Sequence, residues 1–268
     1  MASVPRNIYF DLTRAFNRQG SIAVLASGQA VVYYRVAIMS KDGDWIVRET
    51  AEATARVLAV LTEHGAWYRP GAPLDARWLA GGWSSHFEFS DEALRRVRCD
   101  FFSRPPRITD AARAALFTGS DTLAVVDLMS LILMKQTQRA KDYVVIGELA
   151  ARLPPERELQ WSTDPDRLLA LAPQYGAEST RAAVQSAHTG DREAVVVALA
   201  REQNRLQLED RRRLSAYAAA SEPFLRAVTR LPVAERRLPE GHERLCALAE
   251  ELLPQRVALP EEGAHDAQ

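Results

Sequence analysis

Residues 40–47 read Ser40-Lys41-Asp42-Gly43-Asp44-Trp45-Ile46-Val47, and the fold turns on whether this stretch is a tight turn or a strand. Two readings are open. Asp-Gly between β-type runs is a strong hairpin signal, which would make Asp42 and Asp44 polar turn residues. On a strand, side chains two apart share a face, so Asp42 and Asp44 would converge while Gly43 and Trp45 face the other way. Two carboxylates aimed at one point repel, and they call for a cation, a shared proton or a basic neighbour. A calcium loop fits less well, because the later oxygen ligands and the closing Glu of that motif are missing.

Working outward, the best third acid is Asp100, set in Val97-Arg98-Cys99-Asp100-Phe101-Phe102 between apolar neighbours. Its alternative reading is an acid at a strand end paired with Arg98, two residues away on the same face. Upstream, residues 22–25 and 37–39 are apolar β-type runs, and Trp45-Ile46-Val47 is a strand candidate. Residues 49–64 carry Val57, Leu58, Val60 and Leu61 at helical spacing and end at Gly65. Trp78-Leu79-Ala80, Gly81-Gly82 and 86–89 read as a hairpin with a glycine turn. Its Ser84-Ser85-His86 segment could stack a base or contact an acceptor, or be an ordinary exposed turn. Residues 97–102 read as a strand stopped by Pro105-Pro106, and 124–126 as a short β-like run.

Helices are expected over about 127–138 and 141–153, with Asp142 favouring the start of the second. After Pro154-Pro155 the strand signals fade, and helices are expected over 165–171, 178–187, 191–221, 223–229 and 243–253. The expected class is therefore α+β: a mixed sheet flanked by helices, then an all-helical C-terminal region. The expected divisions are 1–153, 154–254 and a flexible tail over 255–268.

Composition narrows the function classes. The 268 residues hold 34 basic side chains, of which only Lys41, Lys135 and Lys141 are lysine, against 35 acidic ones, for a formal charge of −1. That balance excludes a broadly polybasic nucleic-acid coat. Arg211-Arg212-Arg213 follows Glu209-Asp210 and reads as the solvated face of a long helix. Two cysteines, Cys99 and Cys246, give neither a disulfide framework nor a zinc site. No apolar run approaches the roughly 20 residues of a membrane span, and the N-terminus lacks a signal-peptide pattern. A cytoplasmic protein is expected. Walker-type, dinucleotide-binding and Gly-x-Ser-x-Gly motifs are absent.

Together, Ser27-Gly28 before Gln29-Ala30-Val31-Val32, the Asp42-Gly43-Asp44 strand with thirteen residues between Gly28 and Asp42, and Arg98-Cys99-Asp100-Phe101 resemble the nucleotidyltransferase-fold superfamily. That superfamily includes antibiotic-modifying and toxin-type members. The resemblance covers roughly residues 20–153, with Leu131 to Lys135 and Arg139 to Asp142 similar to the helical segment after the catalytic sheet. Four positions depart from the pattern: Ser27 replaces the first glycine, Gly43 replaces an apolar residue and suggests a kinked strand, Arg35 sits seven residues before Asp42, and Val145 stands where an acid often occurs.

The resemblance implies that Asp42, Asp44 and Asp100 are catalytic and hold two Mg²⁺ ions. It also implies that Ser27, Gly28, Gln29, Ser40, Lys41, Arg98 and Lys135 handle an NTP, with Ser40 as the hydroxyl before the first acid. The reaction would pass a nucleotide to an acceptor hydroxyl, on a small molecule, RNA or protein, and release pyrophosphate. A member that has lost catalysis would instead be a binding or regulatory module, for example in a toxin–antitoxin or defence system. The C-terminal helices would then serve as a lid, an acceptor surface or a homo-oligomer interface. No membrane partner is implied.

Overall fold

The computed structural model describes residues 7–91, 96–230 and 237–259. It divides into two compact units, one of residues 1–127 with 215–268 and one of residues 128–214. The boundary expected at 153 is thus not where the contacts divide the chain. The helices after the sheet group with the later helical segment, and the chain's last helices return to the sheet's core. Of the expected tail, 260–268 lies outside the described residues.

The first unit contains α1 (Ile8–Phe16), β1 (Ala23–Ala26), α2 (Ser27–Tyr33), β2 (Asp42–Val47), α3 (Ala51–Glu63), β3 (Trp67–Tyr68), α4 (Ala76–Leu79), β4 (Ser85–Phe89), β5 (Val97–Phe102) and α5 (Asp110–Ala115). The strands form one mixed sheet in the order β1-β2-β5-β4-β3. β2 pairs parallel with β5, and the other three pairings are antiparallel. The short run at 124–126 appears only as a bridge between Val125 and Leu25.

β2 settles the opening alternative. Asp42 begins a strand and is not the tip of a hairpin. Alternation along β2 and β5 sends Trp45, Cys99 and Phe101 into a core where each is fully buried. Trp45 stacks on Phe101 with centroids 5.2 Å apart, and Phe16 of α1 meets Trp45 edge-on at 5.4 Å. Gly43 does not kink this strand. A Cβ there would lie 2.4 Å from both the Trp45 and Tyr9 rings, so glycine is what lets those rings close over β2.

Three expectations fail for local reasons. Trp78 and Leu79 lie in α4, because the Asp75 side chain caps that turn by accepting from the Arg77 amide. The strand that pairs with β4 on the side away from β5 is therefore Trp67-Tyr68. Residues 37–39 form no strand, and Ile38 and Met39 are 97% and 78% exposed. The helix expected to break before Pro223 instead runs unbroken as α11 (Arg192–Val228). Phe224 just beyond the proline is fully buried in the first unit's core; that packing offsets the cost of a proline inside a helix. α12 (Leu238–Leu252) packs on α3 and β3 through Leu245 and Ala249.

The second unit is helical: α6 (Leu128–Met134), α7 (Ala140–Ala150), α8 (Pro155–Trp161), α9 (Pro165–Tyr175), α10 (Ala182–His188) and the first part of α11. Its own core includes Leu159, Leu168, Val184 and Val195, each fully buried.

Candidate active site

Opposite the aromatic core, the sheet presents a charged face. Parallel pairing puts Asp44 beside Asp100 and Asp42 beside Arg98, so the three predicted acids share one face of two neighbouring strands. The third acid comes from a distant part of the chain because β5, and not β1, lies on that side of β2.

Each of two acids meets basic side chains. Asp100 Oδ1 lies 2.8 Å from His86 Nδ1 and 3.4 Å from Arg69 Nη1. Asp42 Oδ1 stands 3.8 Å from Arg98 Nη1. Arg98 Nε in turn faces Glu88 Oε2 at 3.5 Å, and Arg96 reaches the same oxygen at 2.6 Å. The sequence reading paired Arg98 with Asp100; the sheet gives Arg98 to Asp42 and Glu88 and brings Arg69 and His86 to Asp100. His86 is on β4 opposite Asp100, and its ring fits against Gly71, where a Cβ would lie 2.5 Å from Cδ2. His86 was legible only as part of a polar turn, and neither Arg69 nor Glu88 stood out. Two-residue alternation from Phe87 and Phe89 would have placed His86 and Glu88 on the acid face.

The donors suit a hard divalent cation in kind, since carboxylate oxygens are what Mg²⁺ prefers. Asp42 Oδ1 and Arg98 Nε are also buried without a hydrogen bond, each holding only a longer ionic contact, which leaves them capacity for a further partner. In this conformation the set is not closed: among the described residues, no three His, Cys, Asp or Glu side chains group as metal ligands. Asp100 is occupied by its two basic neighbours.

The remaining predicted residues divide. Ser27 opens α2 at φ +48°, the left-handed region that favours glycine. Gly28 is needed for packing, because a Cβ would meet Ser40 Oγ at 2.2 Å. Ser40 Oγ donates to the Asp42 carbonyl at 3.3 Å, tying the approach to β2. The Gln29 side chain is 2% exposed; it accepts from Asn7 at 3.1 Å and donates to the Ser40 carbonyl at 2.9 Å, so its amide already has partners. Lys41 is exposed, and its carbonyl accepts from the Tyr9 hydroxyl at 2.6 Å.

Burial, with the nearby Cys99 and the carboxylates adding to it, pushes the Tyr9 hydroxyl up to about 12. Burial likewise lifts the Cys99 thiol well above its ordinary value, so both stay neutral behind the acids.

Lys135 departs most from expectation. It lies in the helical unit, 7% exposed, with its ammonium 3.5 Å from Asp142. Thr137 and Arg139 also bond that carboxylate, at 2.6 and 2.9 Å. Its charge is paired in a buried cluster at the start of α7. Arg213 similarly pairs with buried Asp210 at 2.9 Å.

No family model matches the chain, and no curated protein matches it. Solved structures similar to it include two from Helicobacter pylori. JHP933 from Helicobacter pylori is 12% identical, with 80% of this chain and 95% of that one covered and a TM-score of 0.39. The second, also from H. pylori, carries the provisional name of a nucleotidyltransferase; it is 13% identical, with 76% and 95% covered and a TM-score of 0.39. Likeness at this level assigns no residue a role. Among the described residues, no helix is long and apolar enough to cross a membrane.

Proposed function

We propose that the charged face of the sheet is the catalytic site of a Mg²⁺-dependent nucleotidyltransferase. The observation that carries the reading is the register of Asp44 beside Asp100, with Asp42 two residues away on the same face. Asp42, Asp44 and Asp100 would hold the ion or ions. Bound there, Mg²⁺ neutralises triphosphate charge and orients the leaving group. Arg98 stands 3.8 Å from Asp42 and Arg69 3.4 Å from Asp100, and each can turn a fork of N–H donors to phosphate oxygens. Backbone N–H groups in the first turn of α2, which a helix cannot satisfy internally, support the same role.

The acceptor hydroxyl attacks the α-phosphorus in line, the bond to the bridging oxygen breaks, and pyrophosphate leaves. The hydroxyl proton passes to the Asp100 carboxylate, which His86 and Arg69 hold in orientation. Catalysis rests on positioning and on charge neutralisation.

A second reading, a binding module without catalysis, draws support from the ion pairs that already neutralise Asp42 and Asp100. Calorimetry with each NTP, with and without Mg²⁺, decides between them when repeated on Asp42→Ala/Asp44→Ala. The enzyme reading expects Mg²⁺-dependent heat that the double variant loses, with pyrophosphate released on addition of acceptor. NTP binding indifferent to Mg²⁺ and to the double variant would replace it with the module, and no binding at all would refute both.

A further inference from the structure

The helical unit contains a cleft of about 620 Å³ among α7, α8 and α11, a size usual for small-molecule sites. It is separate in sequence from the charged face, and every residue lining it falls within 128–214. Its existence follows from a change along one face of α11. Val195 and Ala198 are packed into the unit's core. One turn on, Leu199, Glu202, Gln203 and Leu206 line the open cleft. These four follow the i, i+3, i+4, i+7 spacing of a single helical face, so α11 still presents this face inward, but the opposing helices do not close upon it.

The chemistry of the walls narrows the ligand. Trp161 supplies an aromatic surface, half-buried, beside the pinned Tyr143 ring, whose hydroxyl donates to the Thr137 carbonyl at 3.1 Å. A flat aromatic ligand can stack there. The charges of the inner wall cancel. Arg181 bonds Glu202 Oε2 through Nε at 3.0 Å and Nη2 at 2.9 Å, and gives Nη1 to the Leu159 carbonyl. Glu202 Oε1 accepts from the Ala183 amide. Arg205, the other cation lining the cleft, pairs with Glu209 at 2.5 Å, so a phosphate or carboxylate finds each lining cation already paired. What the cleft offers is carboxamide, from Gln160 and Gln203. The Gln203 side chain makes no hydrogen bond among the described residues, while Gln160 has only a 3.4 Å contact with Ser179. A carboxamide presents one donor and one acceptor side by side, the pattern that pairs with the N6 and N7 edge of adenine.

We infer that this cleft binds an adenine base, carried on a nucleoside, by stacking on Trp161 and edge recognition by glutamine. The site acts independently of the charged face and needs no metal.

The test is titration of the full chain with adenosine in metal-free buffer, followed by calorimetry and tryptophan fluorescence, with uridine as comparator. For a ligand of this size a dissociation constant on the order of 10⁻⁴ M is expected. Gln203→Leu, which keeps the helix and the volume, should weaken adenosine about tenfold. Ala182→Trp, a plug at an exposed position on the cleft's rim, should abolish binding, with far-UV circular dichroism unchanged in both variants. Asp42→Ala/Asp44→Ala should bind adenosine as the parent does, which separates this site from the proposed NTP site whichever of the two fails. Absence of binding at about 2 mM, twenty times the expected constant, would overturn the inference. So would equal affinity for uridine, or binding that survives the plug or vanishes in the aspartate double variant.

Discussion

Gly43→Ala tests the link between the aromatic core and the acid pair. The new methyl would lie 2.4 Å from Tyr9 Cδ1 and 2.4 Å from Trp45 Cη2, a full ångström inside ordinary contact. Neither ring can give way easily. Trp45 is fully buried, stacked on Phe101, and donates its indole N–H to Thr13 at 2.8 Å. Tyr9 is held by its bond to the Lys41 carbonyl. Overpacking of this kind costs about 2 kcal/mol, and loosening the indole hydrogen bond adds about 1 kcal/mol. For a chain of this size the total corresponds to a fall in Tm of roughly 6–12 °C, measurable by near-UV circular dichroism. Because Asp42 and Asp44 flank Gly43, relief by a shift of β2 would also weaken Mg²⁺–NTP binding. Trp45→Phe removes the clashing ring atoms, so Gly43→Ala/Trp45→Phe should be more stable than the two single changes sum to, by about 1 kcal/mol. A Gly43→Ala protein within about 0.5 kcal/mol of the parent, or strict additivity, would refute the reasoning.

Two further outcomes follow from strain and burial elsewhere in the first unit. Ser27→Gly should raise the urea midpoint without changing the slope, by about 0.5–1 kcal/mol, because the left-handed conformation costs a non-glycine residue about 1–2 kcal/mol and glycine's extra chain entropy returns only part of it; an unchanged or lower midpoint would contradict this. Burial holds His242 below its ordinary 6.5, and its Nδ1 lies 2.8 Å from the Tyr68 hydroxyl, which itself accepts from the Leu74 amide. The unfolded chain therefore takes up this proton first, and stability contributed by neutral His242 is present above pH 6.5 and lost as pH falls through the folded value. His242→Gln should flatten the parent's loss of stability below pH 6.5, and an unaltered slope would rule out His242 as its source.

Much of this arrangement was legible from local pattern. Given that 42–47 and 97–102 are strands, alternation assigns Trp45 and Phe101 to one face and Asp42, Asp44 and Asp100 to the other, because the β period of two is a property of the backbone. The helices at 49–64 and 141–153 follow from apolar spacing and end signals, and Thr50 caps the first as an N-cap threonine should. Side-chain partners were not legible. Arg98 looked like Asp100's counter-ion only because it is near in sequence. Strand order gave Asp100 to Arg69 and His86, and Arg98 to Asp42 and Glu88. The resemblance implies an NTP-handling role for Lys135, and Asp142, seven residues on, takes it into a buried cluster.

The sequence by itself determined the acids and the glycine between them and, once 42–47 is a strand, the face each side chain occupies, since these depend on residue type and a two-residue repeat. Only the tertiary structure decided which cations meet which acids, that α11 continues past Pro223, and that a cleft opens beside Trp161. Those outcomes depend on strands and helices far apart in the chain, whose pairing is fixed by the packing of the whole core and not by any local run of residues.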